Sequence, residues 1–151
     1  MIKLIEVNEK NWQNFASLEV FENQKAFLDS AVGIIARGYA CRSHRARVIG
    51  IENDCTAVGL ALVKDLDEEP ACYDLQQFMI DKRYQRRGFG ISALKMILIC
   101  LGKERKFDCV EVCVKKNNYA ALKFYKKAGF TDTAYIDEAA PDCLNLINHL
   151  T

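Results

Sequence analysis

The residues best equipped for chemistry lie in YQRRGFGISA, Tyr84 to Ala93, between a strand-like run, CYDLQQFMID, and an apolar helical run, ISALKMILICLG. A helix start carries unpaired N–H groups and a partial positive charge, which together bind anions. Gly88 and Gly90 let the backbone come close to a ligand because no Cβ intervenes, and Arg86 and Arg87 raise the local positive potential. Such a junction suits a diphosphate. Further on, NYAALKFYKKAGF places Asn118, Ala121 and Tyr125 at i, i+3 and i+7, along one helix face. Small Ala121 leaves a path for a thin ligand between two polar side chains, of which Asn118 offers both donor and acceptor. Each segment also has a purely structural reading. The first is a tight turn with solvated arginines; the second is a helix with Leu122, Phe124 and Tyr125 in the core and Asn118 as its cap.

Two familiar phosphate loops fit poorly. The ATP-type loop needs a Lys-Ser/Thr ending, which is absent. The string GFGISA satisfies the dinucleotide pattern G-x-G-x-x-A, but that unit wants an acidic residue at the end of the next strand to hold the ribose. Here the strand ends in Lys115 and Lys116, which would at best suit a phosphorylated nicotinamide cofactor. The dinucleotide unit also opens a parallel sheet, whereas this loop follows several strands and a hairpin.

The elements that must position these residues are legible from periodicity. IKLIEV alternates as a strand. NWQNFASLEVFEN reads as one helix, with Asn11 as N-cap and Trp12, Phe15, Leu18 or Glu19, and Phe21 or Glu22 at helical spacing. DSAVGIIARGYACR is a weaker helix interrupted by Gly33 and Gly38, and ARVIGIEN and AVGLALVKDL form a hairpin through NDCT. The acidic DLDEEP is a solvated turn closed by Pro70. CYDLQQFMID is a long strand, ISALKMILICLGKERK a helix apolar enough to be covered nearly all round, and DCVEVCVKK a strand. NYAALKFYKKAGF is a helix ended by Gly129 in a left-handed position with Phe130 packing back. TAYID and CLNLINHL supply two more short strands. The order β-α-α-β-β-β-α-β-α-β-β makes an α/β (α+β) fold with a mixed sheet and helices on its faces.

With 151 residues, 50% hydrophobic and 27% charged, the chain is expected to form one domain, residues 1–151, of ordinary globular composition. A net charge of +1 gives no general attraction to nucleic acid or an anionic membrane, so neither is expected as a partner. There is no signal-peptide core and no apolar run of membrane-spanning length. The seven cysteines include no C-x-x-C pair, and several, such as Cys100, sit in apolar runs; they read as buried, reduced thiols of a cytoplasmic protein. Only His44 and His149 could join a metal site, and neither has a ligand pattern beside it, so no metal is expected.

The full string Q-R-R-G-F-G resembles the Q/R-x-x-G-x-G/A pyrophosphate loop of the GNAT superfamily of acetyl-CoA-dependent N-acetyltransferases. NYAALKFYKKAGF resembles that superfamily's N-x-x-A-x-x-x-Y-x-x-x-G-F helix, and the order, intervening strand and length agree over essentially the whole chain. The resemblance implies a mostly antiparallel central sheet and acetyl-CoA as the acetyl donor. Gln85, Arg86, Arg87, Gly88, Phe89 and Gly90 would then receive the pyrophosphate, and Asn118 and Ala121 the pantetheine arm. Phe78, Met79 and Ile80 would lie beside the thioester, where a bulge splays their strand from its neighbour and a backbone N–H meets the oxyanion. Tyr125 would protonate the departing thiolate. Similar proteins commonly form homodimers, though no interface is legible here.

LEVFENQKAFLDS and LQQFMIDKRYQRRGFG further resemble the bacterial spermine/spermidine (diamine) acetyltransferase branch. The resemblance implies a small amine substrate, a polyamine before a peptide N-terminus, an aminoglycoside or an amino acid; a non-catalytic acyl-CoA sensor is the other class. A polycation should meet carboxylates, and Glu19 and Glu22, three apart on one helix face with Asp29 after them, are the candidates. Where polyamine-type members carry a strand acid as general base, this chain has Gln76. Asp74 lies on the same strand face, about 7 Å further along. Asp74 acting through water, an ordered water chain, Tyr73, Glu111 and the first helix's carboxylates all remain open as the proton acceptor.

Overall fold

Alternating apolar residues build one sheet whose two faces bury different helices. In the computed structural model, which describes residues 1–151, the elements in chain order are β1 (Ile2–Glu6), α1 (Trp12–Ala16), α2 (Ala31–Ala40), β2 (Arg47–Asn53), β3 (Thr56–Leu66), β4 (Cys72–Ile80), α3 (Phe89–Glu104), β5 (Cys109–Lys115), α4 (Tyr119–Lys127), β6 (Thr131–Asp132) and β7 (Cys143–His149). This is the expected order, with single 3-10 turns added at Glu22–Gln24, Arg42–His44 and Lys82–Tyr84. The seven strands lie in the order β1-β2-β3-β4-β5-β7-β6. Every neighbouring pair is antiparallel except β4–β5.

Strand β3 shows the period of two most clearly. Ala61 and Val63 join a core with Leu94, Ile97 and Tyr125 on the α3/α4 face, while Leu60 and Leu62 join Phe15 and Ile34 on the α1/α2 face. Helix α2 runs unbroken through Gly33 and Gly38. Gly38 lies against β2, where an added Cβ would collide with Val48, so the glycine serves close packing rather than interruption. No helix is long and apolar enough to cross a membrane.

Other expectations need correcting. The first helix stops at Ala16. Leu18 and Val20 both enter the core, which demands extended backbone, and residue 19 is held by tertiary bonds. Its N–H donates to Asp81 Oδ2 (2.9 Å) and its C=O accepts from Lys82 N–H (2.8 Å). Glu19 and Glu22 therefore share no helix face, and each pairs with a lysine: Glu19 with Lys82 at 3.0 Å and Glu22 with Lys25 at 2.9 Å. Helix α3 is covered on one side only. Ala93, Leu94, Ile97 and Leu101 are buried, but Ile99 is 58% exposed. Of the cysteines only Cys72 and Cys143 are buried, and Cys100 is exposed on that outer side of α3. Finally, the TAYID segment forms no strand. The short pairing falls just before it, at Thr131–Asp132, and Ala134 then turns the chain with a positive φ of 61°.

Candidate active site

The site is built where two strands part. Strands β4 and β5 pair at Tyr73↔Val110 and Asp74↔Glu111, and their ladder ends there. Beyond that rung β4 remains paired with β3 on its other edge, so its β5-facing backbone groups from Leu75 to Ile80 line an open fork. At the same point β4 carries a bulge. Leu62 pairs with Gln77 and Val63 with Leu75, which leaves Gln76 as the extra residue. The bulge exchanges the strand's faces. Tyr73 and Leu75 lie on the α3/α4 side together with Phe78, whereas Met79 belongs to the α1/α2 side. Without Gln76, Phe78 would point the other way.

The glycine loop closes one end of the fork. Asp81, 1% exposed, accepts from the Arg83 backbone N–H (2.9 Å), the Arg83 guanidinium (2.8 Å) and the Glu19 N–H. Burial pushes its carboxyl up, but the hydrogen bonds from Arg83 and the Glu19 backbone outweigh that and hold it below the usual range. Gln85 Nε2 donates to Ile80 C=O (2.9 Å) and to Gln24 Oε1 (2.9 Å), and Gln24 Nε2 donates back to Gln85 Oε1 (3.1 Å). Gln85 therefore shapes the loop with an amide already fully engaged. Arg86 has a positive φ of 63° and Gly88 one of 81°. The N–H groups from Arg86 to Ile91 have no partner within the chain; the first helical bond is Ser92 N–H to Gly88 C=O at 3.2 Å. Arg86 and Arg87 are exposed beside them.

Gln24 and Asp81 escaped the list of candidates drawn from sequence. The signal is present, since Gln24 lies in LEVFENQKAFLDS and Asp81 in LQQFMIDKRYQRRGFG, but only the folded chain shows that these segments touch. A double-mutant cycle of Gln24→Ala and Gln85→Ala in urea denaturation should show a coupling of about 1 kcal/mol. Additive effects would mean that the amide pair does not hold the loop.

Helix α4 forms the wall across the fork. Asn118 caps it, Oδ1 accepting from Ala121 N–H at 3.3 Å, which leaves the amide N–H₂ free. The helix ends as expected: Gly129 has φ 99°, its N–H bonds to Lys126 C=O, and Phe130 N–H reaches back to Tyr125 C=O. Phe124 stacks on Phe78 (5.5 Å between centroids) and contacts Tyr125 edge-on (5.3 Å), joining α4 to β4. Tyr125 is 7% exposed, and burial drives its phenol well above the ordinary range, so it stays protonated at neutral pH. Its hydroxyl makes no hydrogen bond within the chain. Since the side-chain polar atoms both sealed and unpaired are Arg47 Nη2 and Gln76 Oε1, the hydroxyl keeps an opening.

On the opposite sheet face, at the fork's apex, burial pushes Asp74 up to about 6. Lys64 opposite on β3, the Gln76 amide and Arg37 of α2 pull it down, while Glu111 across the rung pushes it up. Asp29, placed by sequence with the substrate acids, pairs with Arg37 at 3.1 Å, and its N–H donates to Gln77. No group of three or more His, Cys, Asp or Glu side chains converges as a metal site. A surface concavity of about 900 Å³ lies away from this chemistry, between Leu98, Gly102 and Leu150. The fork is the better site because unpaired strand backbone and a perturbed carboxyl coincide there.

Residues 7–130 match the family model described as "Acetyltransferase (GNAT) family". A spermine/spermidine N(1)-acetyltransferase of Bacillus subtilis (strain 168) is 26% identical over 141 residues, covering 90% of this chain and 91% of its own. Among solved structures, a spermidine N-acetyltransferase from Vibrio cholerae, in complex with CoA and spermine, superposes with a TM-score of 0.77 at 14% identity, over 98% of this chain and 95% of that one. The ribosomal-protein-S18-alanine N-acetyltransferase of Escherichia coli gives 0.69 at 18% identity, over 99% and 93%. Similarity at these identities shows a shared fold.

Proposed function

The chain belongs to the acetyltransferase (GNAT) family, and on that premise we propose that it transfers acetyl from acetyl-CoA directly to a primary amine of a small substrate, a polyamine such as spermidine or spermine. The observation that carries this reading is the fork itself, a gap through the sheet with a phenol on one face and a basic carboxylate on the other. Two reactants that must meet without colliding need separate approaches, and the fork supplies one from each side.

The unpaired N–H groups of Arg86 to Ile91, with the α3 dipole and the two arginines, suit a diphosphate. The open edge of β4 and the Asn118 amide suit a chain of amides laid between the strands. Acetyl-CoA supplies a thioester, and N–H groups on the free edge of β4 near Phe78, Met79 and Ile80 suit its carbonyl oxygen as charge develops there. The amine attacks in its neutral form, its ammonium proton already lost to solvent, and Asp74, ionised above pH about 6, accepts the second proton as the N–C bond forms. Tyr125, held protonated by burial, gives a proton to the departing sulfur. Asp74 ends with one proton more and Tyr125 with one fewer, and exchange with solvent resets both.

A cationic substrate is favoured by Asp74 and Glu111 facing each other across the last rung, and by the names borne by the similar proteins. Glu19 and Glu22 support it less, since both already hold lysines. Thiol release with spermidine and spermine, beside a peptide N-terminus, an aminoglycoside and an amino acid, tests the assignment. Polyamines are expected to give the highest kcat/KM, and Tyr125→Phe should lower kcat roughly 10²-fold, at the low end of acid–base effects because a thiolate leaves readily. Tight acetyl-CoA binding without turnover on any amine would identify a sensor instead.

A further inference from the structure

Gln76 is the one residue of β4 that pairs with nothing on β3, and the sheet places it beside the carboxyl on which the reaction turns. Its side-chain oxygen is sealed from solvent and accepts no hydrogen bond, an arrangement that buried amides avoid. Gln76 stands two residues along from Asp74 on the same strand, and its amide pulls that carboxyl down. The reverse orientation would set the oxygen against a carboxylate, so the orphaned acceptor is the cost of presenting the N–H₂ group to Asp74. The other charged groups that face Asp74 come from three directions: Lys64 on β3, Arg37 on α2 and Glu111 on β5. Lys64 and Arg37 are long and flexible, and Arg37 is already paired with Asp29. A short amide anchored at a bulge is the rigid donor among them.

We propose that Gln76 is the positioning residue of Asp74: the bulge carries it out of the ladder so that its Nε2 group holds the carboxylate at the apex of the fork. One residue thus sets both the face that Phe78 presents and the state of Asp74. The inference rests on the reading of Asp74 as proton acceptor, and its first test needs neither amine nor acetyl-CoA.

In the free, full-length protein, carboxyl-carbon NMR follows the Asp74 titration in wild type, Gln76→Met and Gln76→Asn. Loss of the donor leaves the charged form less supported, so the midpoint should rise by about 1 pH unit in Gln76→Met. Gln76→Asn, with its amide drawn back, should do the same. Gln77→Met, next along the chain, should leave the midpoint where it is and serves as the control for folding. With spermidine as acceptor, the acid limb of kcat/KM should move up with the NMR midpoint, while the plateau at high pH is largely regained. A purely structural residue would lower the plateau and leave the limb in place. An unmoved Asp74 midpoint in folded Gln76→Met and Gln76→Asn overturns the proposal while leaving the acetyltransferase reading intact. A moved midpoint in a protein that acetylates no amine overturns that reading and, with it, the catalytic meaning of the pair.

Discussion

Gly88→Val is expected to lower acetyl-CoA affinity by at least on the order of 10²-fold, the loss of two charge-assisted hydrogen bonds. Gly90→Ala should leave affinity within about threefold, since it removes no phosphate donor. The two glycines look alike in sequence and differ in place. Gly88, with φ 81°, is the N-cap of α3, and a Cβ built there meets nothing within 4 Å. A branched side chain would fill the space in front of the unpaired N–H groups, and the left-handed backbone adds about 1–2 kcal/mol of strain. A Cβ on Gly90 rests at 3.5 Å from Ile80 and Phe124, an ordinary contact, and alanine in place of glycine stabilises a helix by about 1 kcal/mol. Calorimetry with acetyl-CoA checks both variants, and equal losses would mean that the effect is on folding rather than on the ligand.

Asp74→Asn should lower kcat/KM by roughly 10²- to 10⁴-fold above pH 7 and abolish the acid limb near pH 6. The same substitution should make the protein more stable at neutral pH. Burial raises Asp74 from 3.8 to about 6, so the folded state binds its proton more tightly than the unfolded chain does. Stability is therefore lost as pH rises from about 4 to about 6, and wild type and variant diverge through that window. The shift corresponds to up to about 3 kcal/mol, less whatever the buried amide costs. Urea denaturation at pH 4 and pH 8 measures it. Greater stability with lower activity marks a group retained for chemistry, whereas a destabilised variant at pH 8 would show a structural ion pair.

The contrast between these sites and the rest of the chain shows what sequence patterns carry. Gly129 and Phe130 were readable because a helix end is local: one glycine and one apolar residue fix it. The order of elements was readable for the same reason, since each strand and helix announces its own period. The length of α1 was not, because Leu18 and Glu19 obey a helical pattern until the core and Asp81 claim them. Gln76 was conspicuous as an amide where an acid was expected. That it is a bulge, and turns the faces of β4, depends on the register with β3, which no single strand records. Asp74 was one of several possible bases by position, and the burial that supports the proposal for it is a property of the folded chain. Gln24 and Gln85 lie far apart in the chain, and only the tertiary fold makes them a pair.

A crystal structure with CoA addresses the central claim most directly. The account places the diphosphate on the N–H groups between Arg86 and Ile91, the pantetheine arm along the free edge of β4 in the fork, and the sulfur within hydrogen-bonding reach of the Tyr125 hydroxyl. Pantetheine outside the fork, or a sulfur far from Tyr125, would contradict it.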